Sequence, residues 1–278
     1  MRFTLFTVLF LSVAACRSLP EEATNQTEGT RDLEDSADQT VDKPVSEMGL
    51  QEASENFLLT LKRGGSTDEY ARKFAAVPLE TLSETINTDD ARKAFYINLY
   101  NGYIQRILQL NPELYDDRKA FFGEDRFTLA GKLISFDRLE HGIIRASTLK
   151  LSAGYLKEIF PGDYEKALRT QEVDPRIHFA VNCGAKDCPP VHILSPADVN
   201  AELDQMSKDY LNKWTTYDAA ADTVATTSLM SWFRGDFGGK DGAVEMLRNY
   251  GALPASAADP ELKFKPYDWT LKTGVWGE

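Results

Sequence analysis

The stretch Asp89–Leu110, DDARKAFYINLYNGYIQRILQL, limits the fold more than any other part of this 278-residue chain. Ala94, Ile97, Tyr100 or Asn101, Ile104 and Leu108 recur at helical spacing, which predicts one long helix with an apolar stripe. Asp89 and Asp90 stand at its start, where the helix dipole favours anions, and Asn111-Pro112 stops it. Asn98 and Asn101 are three apart, hence neighbours on one face. Asparagine is a mediocre helix former, so two amides among apolar residues imply a specific hydrogen-bonding task. Two tasks stay open: tying down the backbone of a loop or, for Asn101, orienting a catalytic imidazole or a substrate amide.

Around this helix the pattern is mixed. Helices are predicted over 51–62, 79–86, 154–160, 197–214, 229–234 and 242–250. Phe127 to Phe136, FTLAGKLISF, reads as a hairpin, and Ser135 or Asp137 then caps a short helix running to Arg145. Asp174-Pro175 and Ser195-Pro196 each read as an N-cap followed by the first residue of a new element. Thr223 to Thr227 suits a strand, and Phe264 to Leu271 a closing strand or extended arm. The fold class expected is α+β: a single helix-rich domain over residues 49–278 with a small antiparallel sheet.

The N-terminus has a different character. Met1-Arg2, an apolar run from Phe3 to Val13 and then Ala14-Ala15 form the pattern of an export signal over residues 1–15. Val13-Ala14-Ala15-Cys16 resembles the bacterial lipobox, which implies acylation of Cys16. Buried methylenes at ~0.8 kcal/mol each would hold such a chain at a bilayer. Arg17, in place of an aspartate, favours an outer membrane and a lipid-anchored protein of the cell envelope facing the periplasm. Residues 17–48 hold nine acidic and three basic residues, half of the formal net charge of −12. With few large apolar residues and no aromatics, residues 16–48 read as a lipidated, flexible tether. The acidic balance argues against a nucleic-acid partner, which needs clustered Lys and Arg.

The chemistry concentrates in IHFAVNCGAKDCPPVH, Ile177 to His192. It carries two of the three histidines and two of the three cysteines. Three readings compete. As a thiol enzyme, Cys183 is the nucleophile and needs a base and partial exposure. Neither a helix nor a strand over this segment pairs His178 with Cys183, so a base from elsewhere, His141, is the natural candidate. Backbone N–H groups around Gly184 would then be the oxyanion donors. Glu140, adjacent to His141, cannot face the same way on a helix, which argues against a simple Glu–His relay within this pair. As a zinc site, the C-x4-C spacing is at the edge of what zinc takes, and no metal is expected. As a disulfide, Cys183–Cys188 suits an exported chain and would disarm the thiol. No phosphate-binding glycine loop, metalloprotease His pair or dinucleotide fingerprint is present, so no cofactor is expected. His192 is tied to no other feature.

Taken in order, AFYINLYNGY, GKLISFDRLEHGIIR, DPRIHFAVNCGAKDCPPV and FKPYDWTLK resemble the domain of unknown function family numbered 547, from Ala94 to about Leu271. Its recurring polar residues match Asn98, Asn101, Glu140, His141, Arg145, Arg176, His178, Cys183 and Cys188. A Cys/His set on an α+β domain is similar to papain-like and transglutaminase-like thiol enzymes, in a permuted arrangement because both histidines precede the cysteine. The function expected is a thiol-dependent hydrolase or acyltransferase on a peptide, amide or ester. Its site residues would be Cys183, His141, His178, Asn101 and Glu140. The alternative is a non-catalytic binding or scaffold domain with a structural Cys183–Cys188 disulfide.

Overall fold

A computed structural model describes residues 43–277. The export signal over 1–15, the lipidation at Cys16 and most of the 16–48 tether lie outside the described residues. The fold is α+β and helix-rich. Four helices come first: α1 (Leu50–Lys62), α2 (Asp68–Ala76), α3 (Leu79–Thr85) and α4 (Asp89–Leu110). A short α5 (Arg118–Gly123) leads into an antiparallel hairpin, β1 (Asp125–Leu129) with β2 (Lys132–Ser135). A π-helical segment, Arg138–Ile144, follows. After α6 (Asp163–Leu168) and a 3-10 turn, Pro175–Phe179, the chain forms α7 (Val199–Trp214). β3 (Thr216–Asp218), β4 (Thr223–Thr226) and β5 (Glu261–Phe264) make a mixed sheet, with β4 antiparallel to β3 and parallel to β5. α8 (Leu229–Trp232) and α9 (Gly239–Asn249) lie between β4 and β5.

α4 occupies the centre, and it is buried more completely than one apolar stripe predicts. Fourteen of its 22 residues are buried, from Lys93 through Gln105 without interruption, plus Leu108. A helix buried all round is one whose every face meets another element. Here Lys93, Asn98, Tyr100, Asn101 and Gln105 each find a partner inside, whereas the Tyr96 hydroxyl has none. α1 lies across α4 at Gly102, where a Cβ would run into the Phe57 ring, so only glycine permits the approach. Tyr103 stacks on Phe127 of the hairpin at 4.2 Å between ring centres, which ties β1 to the same core.

The two asparagines of α4 both work on one loop. Asn98 Nδ2 donates to the Leu194 carbonyl at 2.8 Å, and its Oδ1 accepts from the Leu194 N–H at 3.0 Å. Asn101 Nδ2 donates to the Ala180 carbonyl at 2.9 Å, and its Oδ1 accepts from the Asn182 N–H at 2.7 Å. Each amide therefore pairs with backbone as a neighbouring strand would, at the two ends of residues 180–194. Both side chains are fully buried. The C-terminal arm completes the loop's other edge: Lys186 N–H bonds Thr270 O at 2.8 Å, and Lys272 N–H bonds Gly184 O at 2.7 Å.

Two local expectations fail. Residues 154–160 are not helical: Ala153 and Gly154 both have positive φ (52° and 95°), and at Gly154 the Asp236 backbone packs too close for any Cβ. The segment runs on irregularly and leaves Tyr155, Leu156, Ile159 and Phe160 exposed. The short helix before Arg145 is wound as a π-helix: Arg145 N–H bonds Glu140 O, five residues back, at 2.8 Å. Ser135 does cap it, its Oγ accepting from Arg138 N–H at 3.1 Å.

Asn101→Leu strands the Ala180 carbonyl and the Asn182 N–H, and Asn98→Leu strands the Leu194 N–H and leaves the Leu194 carbonyl only a long 3.4 Å bond from Gln51 Nε2. At about 1–3 kcal/mol per stranded group, each variant is expected to lose about 2–6 kcal/mol. Urea unfolding checks this, and a loss within 0.5 kcal/mol of zero would contradict the role assigned.

Candidate functional site

A cavity of about 280 Å³ opens between the π-helical segment, the 180–190 loop, α8 and the C-terminal arm. Its walls are mostly apolar and aromatic, among them Leu229, Trp232, Phe233, Tyr267 and Trp269. Glu140, His141, His178 and Cys183 all line it, so two segments separated in sequence meet here. Asn101 does not: both ends of its amide are committed to loop backbone. That is a correction to the expectation that it orients an imidazole or a substrate. His192 stands apart as well, packed against Gly277.

The π-helical winding explains how Glu140 and His141 share the cavity. Its wider turn changes the angle between successive side chains, and π-bulges are frequent at functional sites. Glu140 Oε1 lies 3.6 Å from His141 Nδ1, and Glu140 Oε2 accepts from the Tyr100 hydroxyl at 3.0 Å. The sequence-based expectation that the two cannot face the same way holds for an α-helix and fails here.

Behind the histidines lies a buried ion pair that the sequence did not reveal. Arg145 Nε donates to Asp236 Oδ2 at 2.7 Å, with both side chains shielded from solvent. The same Oδ2 accepts from His178 Nε2 at 2.8 Å, while Arg145 Nη1 donates to His141 Nδ1 at 2.7 Å. Phe233 stacks on the His178 ring at 3.9 Å, and the Arg145 guanidinium lies 4.7 Å from the Phe233 centre. These partners assign the tautomers. His178 must carry its proton on Nε2 to serve the carboxylate, which leaves Nδ1 a bare lone pair with no partner. His141 must leave Nδ1 bare to accept from arginine, so its proton is on Nε2, 3.7 Å from Asp137 Oδ1. His178 Nδ1 is buried and has no hydrogen-bond partner, the Cys183 sulfur included.

Burial pushes the pKa of both histidines down, in keeping with neutral rings. Burial would push Asp236 up, but the His178 and Arg145 hydrogen bonds hold it below the usual carboxylate range. Tyr267 is pushed up by burial and remains a phenol.

Cys183 and Cys188 are joined by a disulfide, with their Cα atoms 6.2 Å apart. Only Cys183 faces the cavity. The N–H groups named as oxyanion donors are already engaged: Gly184 N–H bonds Asn182 Oδ1 at 2.9 Å, and Cys183 N–H bonds Cys188 Sγ at 3.1 Å. Among the described residues, no group of three or more His, Cys, Asp or Glu side chains is placed to hold a metal ion. None of the described helices is long and apolar enough to cross a membrane.

Residues 84–211 match the family described as protein of unknown function, DUF547. The match spans α4 through most of α7 and includes both histidines of the cavity, Cys183 and its disulfide partner Cys188. Asp236, Tyr267 and Trp269 fall beyond it. No curated protein and no solved structure matches the chain. Sequence reasoning missed Asp236. Arg145 was a hint, since a buried guanidinium demands an acid, but spacing alone cannot find an acid 91 positions away.

Two outcomes are expected. Arg145→Met leaves Asp236 buried without its cation, which costs about 3–5 kcal/mol in equilibrium unfolding. For His141 and His178 the folded pKa lies below the unfolded value of about 6.5, so below that pH the unfolded chain binds more protons. Stability is therefore expected to fall as pH drops from about 6.5 to 5, with a shallower slope in His178→Phe. Equal slopes would remove His178 from the titration.

Proposed function

We propose that this domain is a thiol-dependent hydrolase or acyltransferase acting on an amide or ester that enters the aromatic cavity. The observation that carries the reading is that Cys183 and His178 line one cavity while Asp236 fixes His178 with its Nδ1 lone pair uncommitted. Cys183, once reduced, is the nucleophile. His178 is the base that takes its proton, held by Asp236 in the orientation and tautomer the task needs. His141, held at Nδ1 by Arg145, offers Nε2–H as a hydrogen-bond donor to charge developing on the substrate. The aromatic walls exclude water and bind the apolar part of the substrate. We further propose that Cys16 is acylated and that the 16–48 tether holds the domain at a bacterial outer membrane, facing the periplasm.

The disulfide favours a second reading, a non-catalytic binding domain whose 183–188 loop is pinned covalently. A single experiment separates the two. In reduced protein, or in Cys188→Ser, the rate of Cys183 alkylation by iodoacetamide is followed from pH 5 to 9. The enzyme reading expects a thiolate pKa below the ordinary value of about 8.5, moving back toward it in His178→Ala. An unperturbed profile that His178→Ala leaves alone supports the binding domain and overturns the enzyme.

A further inference from the structure

We infer that the Cys183–Cys188 disulfide is itself a reactive centre, opened by a small-molecule thiol that enters the cavity and attacks Cys183. The two sulfurs are not equivalent. Cys183 lines the cavity, whereas Cys188 is buried, only 7% exposed, and does not reach it. An incoming thiolate therefore meets Cys183 Sγ, and Cys188 Sγ is the leaving group.

The structure supplies what a leaving thiolate needs. Cys188 Sγ accepts from the Cys183 N–H at 3.1 Å and from the Tyr267 hydroxyl at 3.2 Å. Cys183 Sγ, by contrast, has the Tyr267 oxygen at 3.8 Å as its nearest polar contact. Hydrogen bonds to a developing anion are stronger than those to a neutral atom. Both donors thus strengthen as negative charge moves onto Cys188, and a more stable leaving thiolate departs faster.

The loop around the bond is held independently of it. Asn182 Nδ2 donates to the Pro189 carbonyl at 2.7 Å, and Asn182 Oδ1 accepts from the Gly184 N–H and from Gln105 Nε2. With Asn101 fixing the Asn182 backbone, the two sulfurs stay near each other after reduction, so the dithiol can close again. A disulfide whose role was to pin the loop would duplicate bonds already made.

The exchange balances as follows. A thiolate forms a bond to Cys183 Sγ, the Cys183–Cys188 bond breaks, and its electron pair leaves on Cys188. A second thiolate then attacks the substrate sulfur of the mixed disulfide and releases Cys183 as a thiolate. Two thiols are oxidised to one disulfide, the protein disulfide is reduced to a dithiol, and the two thiol protons pass to the protein sulfurs. Neither histidine is needed, so this activity stands or falls separately from acyl transfer.

The test uses the full oxidised chain under native conditions. It is treated with 2-mercaptoethanol, quenched with N-ethylmaleimide and mapped by mass spectrometry. The expected product carries the mixed disulfide on Cys183 and the maleimide on Cys188. An adduct on Cys188, equal adducts on both, or a bond that opens only in denaturant overturns the proposal. Tyr267→Phe, which removes one donor to the leaving sulfur, is expected to open about tenfold more slowly. An unchanged rate in a folded Tyr267→Phe overturns the leaving-group assignment. Should that variant fail to fold, the adduct position in the unaltered chain still decides.

Discussion

The Arg145–Asp236 pair is the interaction on which the rest of the site depends. Arg145 follows the π-helical segment, whose Ile143 and Ile144 belong to the larger core around α4. Asp236 precedes α9 and sits beside Phe237, which belongs to a second core with Phe179, Leu229 and Leu247. The pair thus joins two apolar clusters through one buried contact. A buried ion pair gives little net stability, because desolvation offsets the attraction. Its effect here is on geometry. One carboxylate oxygen serves both Arg145 and His178, and one guanidinium serves both Asp236 and His141. The two rings therefore take defined orientations and defined tautomers together.

The α4 amides set the other half of the site. Loop 180–194 has almost no regular structure of its own, yet it carries both cysteines. Asn98 and Asn101 give it the backbone partners that a sheet would otherwise supply, and the C-terminal arm closes the remaining edge. A rigid irregular loop over a central helix lets Cys183 face an apolar cavity while Cys188 stays covered.

What the sequence makes legible follows local physics. The span of α4 agrees at both ends, because charge at its start and Asn-Pro at its end are local signals. The hairpin, α7 and β4 are legible for similar reasons. Four features are not. The burial of α4 on every side depends on tyrosine and asparagine finding partners far along the chain. The π-helical winding that brings Glu140 beside His141 has no local pattern. The irregular course of 154–160 follows from Asp236 packing against Gly154, a contact 82 residues long in sequence separation. Asp236 itself lies in FRGDFGG, a stretch with the look of an ordinary turn. Glu140, His141, His178 and Cys183, candidates from the sequence, line one cavity, but the hydrogen bonds that orient the two rings were not readable, because they come from Arg145 and Asp236.

The central claim is that this buried pair fixes the two histidines as neutral rings, each protonated on Nε2. Long-range proton–nitrogen NMR on protein labelled at histidine nitrogen measures this directly at pH 7. Two rings with the nitrogen signature of Nε2–H and an unprotonated Nδ1 are expected, with His178 switching toward a mixed population in Asp236→Asn. An Nδ1–H tautomer or an imidazolium at His178 in the unaltered protein would contradict the account.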